Sequence, residues 1–584
     1  MTGSSTNKIS GYQTLKRLFR FVKPHRTLFY LAGVLAVLQA PLSALTPYLT
    51  NVMVDDYIMK SDLHGLKKIA LIFLAVLLLT TIMRYAFMIL TNLLGQNIIL
   101  DMRKAVFAHL LRLRMSYFDQ TPVGTNTTRT INDLETLNSV FSEGLITIVA
   151  DILALISVLL VMLFTSVKLT IICLISFPFL LLASYLFKEK VKSSFQRVRQ
   201  EVTKMNTFLQ EHISGMKIVQ IFNAQANTEM KFKEINREYT QANLDGIFYY
   251  AVFFPVVEII SAASLGLMVW WGAQGVLSGT VTVGQLVAFP MFLSRLFQPV
   301  RMLADKFNTL QMGLVAGERV LQIFDNPQRE SKSTQIDHKE SLHGDVVFSH
   351  VNFSYQKDKP VLKDISFTLP HGKNLAIIGK TGSGKTSIIN LINRLYEKDS
   401  GEILINSTPI ENYDLSHLRK RIGIVLQDVF LFNGTIYENL SMHDPEISLL
   451  KVEECAKKLG VHTFIEELPG AYNFQISERG VNLSVGQRQL LSFVRAMVFD
   501  PDILVLDEAT SSIDNRTEAT IQSAIEQLLA NRTSITIAHR LSTIQNADLL
   551  LVLENGEIKE IGSIAELSQR KGSYLYHLER SRLN

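Results

Sequence analysis

Six apolar segments, near 28–50, 69–94, 145–165, 168–187, 248–272 and 280–304, constrain this chain more than any other feature. A helix needs roughly 20 apolar residues to cross a bilayer core, where a spanning backbone must satisfy its own amides. The segments therefore predict six membrane-spanning helices. The sixth is the weakest, because Arg295 and Arg301 interrupt its second half. Mean hydropathy is +0.20, high for a soluble protein, and the excess lies in the first half of the chain.

Charge orients the spans. The loops after the first, third and fifth spans are short and carry little positive charge. The segments after the second and fourth are long and basic, with Arg103, Lys104, Arg112, Arg114, Lys188, Lys190, Lys192, Arg197 and Arg199. The positive-inside bias puts both long segments and the basic N-terminus in the cytoplasm, and six crossings return the C-terminus there. No cleavable signal is expected. "YQTLKRLFRFVKPHR" suits a helix on an anionic inner leaflet or the cytoplasmic start of the first span. "QEHISGMKIVQIFNAQANTEMKFKEI" repeats apolar residues at helical spacing, so the long segments read as membrane helices continuing into the cytoplasm. A net charge of +5 over 584 residues is too weak to argue for nucleic acid. Cys173 and Cys455 have neither disulfide nor metal-site spacing.

Three ionisable residues fall inside the spans, where charge is costly. Arg84 lies ~22 Å along the second span, Asp151 ~9 Å from the inner end of the third and Glu258 ~15 Å into the fifth. All three are expected at similar depth in the inner half. Arg84 is expected to pair with one acid. Glu258, among the small residues of "VVEIISAAS", is expected to be the spare, facing a wet cavity and favouring cationic amphiphiles.

The chain divides into a membrane domain (1–325), a polar linker (326–343) and a C-terminal domain (344–584). The last alternates short β-rich runs with helical segments, predicting an α/β fold with a mostly parallel sheet. In it, "NLAIIGKTGSGKTSIINLI" reads as strand, glycine-rich loop and helix, and matches G-x-x-x-x-G-K-[ST] in full. Gly379, Gly382 and Gly384 let the amides of the loop, through Lys380, Thr381 and Ser383 to Ser387, curl around phosphate oxygens. Lys385 would reach the β- and γ-phosphates and Thr386 would ligate Mg²⁺. ATP and Mg²⁺ are the cofactors so implied.

"DPDILVLDEATSSID" is an apolar strand ending in Asp507 and Glu508. Strand ends deliver acids where α/β sheets bind ligands. Asp507 suits Mg²⁺, and Glu508 could polarise an attacking water. His539 ends the strand in "SITIAHR", Gln427 ends another in "GIVLQDVFLF", and Tyr355 could stack on a purine. "GVNLSVGQRQLL" sets Ser484 and Gly486 at a helix start, a second place able to hold an anion.

In this order the motifs resemble the nucleotide-binding domain of ABC transporters. The resemblance extends over 1–325 to the six-span membrane domain of type IV exporters, with "YFDQTPVG" at 117–124 and "ISGMKIVQIFNAQ" at 213–225 similar to their intracellular loops. It implies a half-transporter, closest to the bacterial multidrug and lipid A exporters. It also implies a dimer whose two ATP sites each lie between one chain's phosphate loop and the other's signature, here Ser484, Val485, Gly486 and Gln487. The family usually has Gly where this chain has Val485, and function is expected to survive the change. By the same resemblance Tyr355 stacks adenine, Gln427 links Mg²⁺ to the membrane domain, and Glu508 and His539 serve catalysis. Asp514 would contact the partner's site, and Glu478 would touch the intracellular loops.

The implied activity is a transport ATPase of the cytoplasmic membrane, a multi-pass protein with both termini inside, exporting amphiphilic small molecules or lipids. A lipid or lipopolysaccharide-precursor flippase is the first alternative, and a peptide exporter is a weaker one. A nucleotide-gated channel or regulator is disfavoured by the intact Glu508 and His539. Complete motifs favour a homodimer over a heterodimer.

Overall fold

The computed structural model describes residues 11–330, 342–507, 515–530, 532–538, 544–570 and 572–574. The chain forms two compact units: one runs to Leu111 and resumes over Val123–Asn326, the other joins Arg112–Pro122 to the residues from Pro327 onward.

The first unit is helical. Among the described residues, five helical stretches are long and apolar enough to cross a membrane: Gly11–Ile58, Leu63–Leu110, Val123–Thr165, Val167–Ser214 and Gln225–Leu277. The sixth predicted span lies in a helix of similar length, Val283–Phe324, whose polar and charged positions make it less apolar. The helix Leu63–Leu110 has 48 residues, a length of ~72 Å against a hydrocarbon core of ~30 Å. It therefore runs well past the core, as the periodicity of the polar segments predicts.

Small residues set the packing. Ala32, Ala36, Ala40 and Ala44 are all buried on one face of Arg26–Val52, which packs against Leu63–Leu110 and Leu145–Thr165. A stripe without bulk lets helix backbones approach closely where lipid gives no hydrophobic drive. The fourth span breaks between Val167–Leu174 and Phe177–Ser214. At the break the buried Ser176 hydroxyl donates to the Cys173 carbonyl (2.8 Å) and lies 3.0 Å from the Ser264 hydroxyl. At the start of Val283–Phe324, the Asp55 carboxylate accepts from the Gly284 amide at 2.7 Å and from the Thr282 hydroxyl at 2.5 Å. An acid there complements the positive helix end.

The second unit holds two main sheets. One is antiparallel, built on Lys359–Leu369, Val346–Gln356 and Ser400–Ile405. The other has six strands in the order Glu557–Ser563, Leu549–Glu554, Asn374–Gly379, Thr533–Ile537, Ile503–Asp507 and Ile422–Val425. It is parallel except for its edge strand Glu557–Ser563. Leu375, Ala376, Ile377 and Ile378 are all buried, which is why this strand reads as an unbroken apolar run. Within this unit Arg112–Pro122 is held by the backbone: the Arg114 amide donates to the Gln328 carbonyl at 3.0 Å, and the Glu330 amide to the Arg112 carbonyl at 3.0 Å.

Candidate active site

The glycine-rich loop joins the strand Asn374–Gly379 to the helix Lys385–Ile392. Gly382 and Gly384 have φ of +83° and +104°, and a Cβ on Gly384 would lie 2.6 Å from the Leu362 side chain. Only glycine takes this path without strain. The turn folds Lys385 back over the loop. The residue is buried, and its ammonium donates to the carbonyls of Gly379 (2.7 Å) and Lys380 (3.1 Å). Burial pushes the Lys385 pKa below its ordinary value, while the negative charge of Asp507 pushes it the other way. The buried Ser383 hydroxyl has no partner among the described residues. An orphaned hydroxyl and a desolvated ammonium at a helix start fit an anion with several acceptor oxygens.

Strand order brings the remaining groups together. Asp507 ends Ile503–Asp507, two strands from the glycine-rich loop, and its charge is felt at Lys385. Gln427 is exposed two residues beyond Ile422–Val425, the next strand over. Thr386 is exposed at the start of its helix. Threonine hydroxyl, carboxylate and amide oxygen are hard donors suited to Mg²⁺, which retains water and phosphate as its other ligands. Glu508, Asp514 and His539 lie outside the described residues.

Tyr355, next to the end of Val346–Gln356, is 42% exposed and packs edge-on against Phe353. Its hydroxyl lies 3.2 Å from the Ser387 hydroxyl and accepts from the Asn390 amide at 3.0 Å. The sequence reading found Ser387 but missed Asn390. The signal was available, since positions three apart share a helix face. It also missed Tyr396, which packs edge-on to Tyr355 with ring centroids 4.9 Å apart. No local motif marks Tyr396, because the contact depends on folding the antiparallel sheet over the helix.

The signature forms the second helix start. Ser484 caps Val485–Val498: its hydroxyl accepts from the Gln487 amide (3.2 Å), and its own amide donates to the Gln487 side chain (2.8 Å). This is a capping box, legible as Ser followed three residues later by Gln. Val485 is the first helical residue, has no positive φ, and is 53% exposed. Nothing in its backbone requires the glycine usual there. Gly486 is buried, and Glu478 is exposed in the short turn Glu478–Gly480.

In the membrane unit the expected pairing of Arg84 needs correction. The partner of Asp151 is Lys306, on the helix Val283–Phe324. Arg84 makes no ion pair among the described residues. Glu258 lines a different hollow, with Phe254, Pro255 and Ile259. Sequence depth placed three charges at one level but could not say which helix faces meet, and it passed over Lys306 just beyond the last span.

Residues 29–300 match the family described as the ABC transporter transmembrane region, and residues 362–511 match the family described as ABC transporter. The chain is 36% identical over 563 residues to the ABC transporter ATP-binding protein YknV of Bacillus subtilis, covering 96% of this chain and 93% of that one. It is 32% identical over 575 residues to an ATP-dependent lipid A-core flippase of Syntrophus aciditrophicus, covering 98% and 96%. Among solved structures, a bacterial Atm1-family ABC exporter with ATP bound superposes with a TM-score of 0.78 at 26% identity, covering 95% of this chain and 98% of the other.

Proposed function

The chain belongs to the ABC transporter family, and from that premise we propose that it exports amphiphilic small molecules or lipids across the cytoplasmic membrane, driven by ATP hydrolysed at two sites shared between the subunits of a homodimer. The observation that carries this reading is a glycine-rich loop, a buried Lys385 and Asp507 gathered at the carboxyl ends of the parallel strands, in a chain whose other unit holds five helical stretches of membrane-spanning length among the described residues.

In this account the half-exposed ring of Tyr355 stacks on adenine. The loop amides and Lys385 hold the phosphates, which give the ammonium the counter-charge that burial denies it. Thr386, Asp507 and Gln427 would hold Mg²⁺, which when bound neutralises phosphate charge. Glu508 takes the proton of the attacking water, and His539 orients toward the terminal phosphate. Ser484 of the partner subunit closes the site across the dimer, with Asp514 beside it. Closing and reopening bias the membrane helices between two states, and transport follows from their different affinities for cargo. Lipid flipping is the second reading, favoured by the likeness along almost the whole chain to a lipid A-core flippase.

The test is ATP hydrolysis by the purified full-length protein in lipid, with its mass measured alongside. The expected result is a dimer whose activity needs Mg²⁺ and falls by about 10²–10⁴-fold in Glu508→Gln, the usual cost of losing a general base. Undiminished hydrolysis in that variant would overturn the assignment of the base.

A further inference from the structure

The first unit holds a half-open cavity of about 670 Å³. Five charged residues line it: Arg84, Glu143, Asp151, Arg295 and Lys306. Asp151 and Lys306 pair with each other. Arg84 and Arg295 make no ion pair among the described residues, and neither does the Glu143 carboxylate.

Pairing separates these charges: Asp151 is taken by Lys306, and Arg84 and Arg295 have no such partner among the described residues. Counted from the inner ends of their spans at 1.5 Å per residue, Arg84 lies ~15 Å in and Arg295 ~14 Å in. Asp151 lies ~9 Å in. Glu143 lies two residues before Leu145–Thr165, in the π-helical segment Val140–Gly144 that runs into it. The cavity thus carries two guanidinium groups that no acid pairs among the described residues. A cation at that depth is costly unless it faces polar surroundings or meets an opposite charge. Polar surroundings are present: Gln39, Thr80, Thr81 and Gln298 line the same cavity. An ion-pair partner for either arginine is not supplied by the described residues. Apolar walls lie beside the arginines, at Leu77, Phe87, Met88 and Val158.

Resting on the export reading above, we infer that this cavity takes amphiphiles with an acidic head, a carboxylate or a phosphate, held by Arg84 and Arg295 while the tail lies along the apolar wall. Guanidinium groups suit both head groups, because each can receive two parallel hydrogen bonds from one fork. This reverses the cationic preference that Glu258 suggested from sequence, since Glu258 lines another hollow.

The experiment uses the full-length protein in phosphatidylcholine vesicles, so that the only acidic amphiphile is the one added. Laurate, dodecyl phosphate, monolaurin and dodecyltrimethylammonium are compared below their micelle-forming concentrations, with stimulated ATP hydrolysis as the readout. The two acids are expected to half-saturate at about tenfold lower concentration than the cation, the size of one charged hydrogen bond. Comparing the two acids shows which head group is preferred. Arg84→Gln and Arg295→Gln should each narrow that ratio, and the double change to Glu should reverse it. The ratio is taken within one preparation, so a poorly folding variant leaves the wild-type comparison intact. Equal response to all heads, or preference for the cation, overturns the inference. Absence of any Mg-ATP hydrolysis by the wild type overturns the export reading instead.

Discussion

The Tyr396 hydroxyl donates a hydrogen bond to the Asp119 carboxylate. The same ring lies edge-on to Tyr355, the proposed adenine platform, with centroids 4.9 Å apart. Asp119 sits on the short helix Met115–Gln120, and Arg114 beside it pairs with Glu397 at 2.6 Å. The stretch that leads out of the helix Leu63–Leu110 is therefore fastened one ring away from the nucleotide position. Burial first, then the Asp119 acceptor, raises the Tyr396 phenol far above its usual range, so it stays a donor through neutral and mildly alkaline pH. Tyr396→Phe keeps the ring and removes the donor. Cargo stimulation of ATP hydrolysis is expected to fall about fivefold, matching a net hydrogen bond of ~1 kcal/mol. Stimulation equal to wild type would show that the contact transmits nothing.

Lys385 gives a pH dependence with a definite sign. Burial lowers its pKa below 10.5, against the pull of Asp507. The charged form that attracts phosphate is complete below that lowered value and is lost as pH rises through it. ATP affinity should therefore decline at alkaline pH before an ordinary lysine would titrate. Folding stability should move the opposite way in the same window, because the unfolded chain binds the extra proton. ATP titrations across alkaline pH check this. Affinity flat up to 10.5 would contradict the burial argument.

The shared-site arrangement predicts complementation. A chain with Ser484→Arg keeps its phosphate loop, and a chain with Lys385→Ala keeps its signature. Each variant alone should hydrolyse almost no ATP. Co-expressed with different tags and purified as mixed dimers, they should regain hydrolysis, because one composite site then has both halves intact. Mixed dimers as inactive as their parents would place both halves in the same chain.

Gly384→Ala would force an alanine to φ +104° against Leu362, at a cost of ~1–2 kcal/mol before any clash is relieved. Nucleotide binding should fall, as read by displacement of a fluorescent ATP analogue. Val485→Gly, by contrast, relieves no strain and should leave hydrolysis within about twofold while lowering helix stability by up to ~1 kcal/mol. A large gain in activity from that glycine would mean that the backbone at Val485 is under constraint after all.

Periodicity and motif order made much of this architecture legible. The six spans, their helical continuations and the parallel sheet follow from apolar runs whose lengths and periods admit few alternatives. Gly379 to Ser387 could be read because every atom of that loop comes from one short segment. The charges inside the membrane could not. Whether Arg84 meets Asp151 depends on which faces of two helices turn together, and Lys306 reaches Asp151 from a third helix. Tyr396 was equally hidden, since Tyr355, Tyr396 and Asp119 meet only through the fold. Depth along a span can be counted from sequence, whereas azimuth around it has to be seen.

The central claim is that ATP hydrolysis moves cargo outward, and uptake into inside-out vesicles tests it most directly. Full-length protein is reconstituted with its ATPase face outward, and radiolabelled laurate is added with Mg-ATP. The account predicts label accumulating inside against its gradient, with no accumulation in Glu508→Gln or when ATP is withheld. Hydrolysis with no accumulation of any of the four amphiphiles, or equal accumulation without ATP, would contradict it.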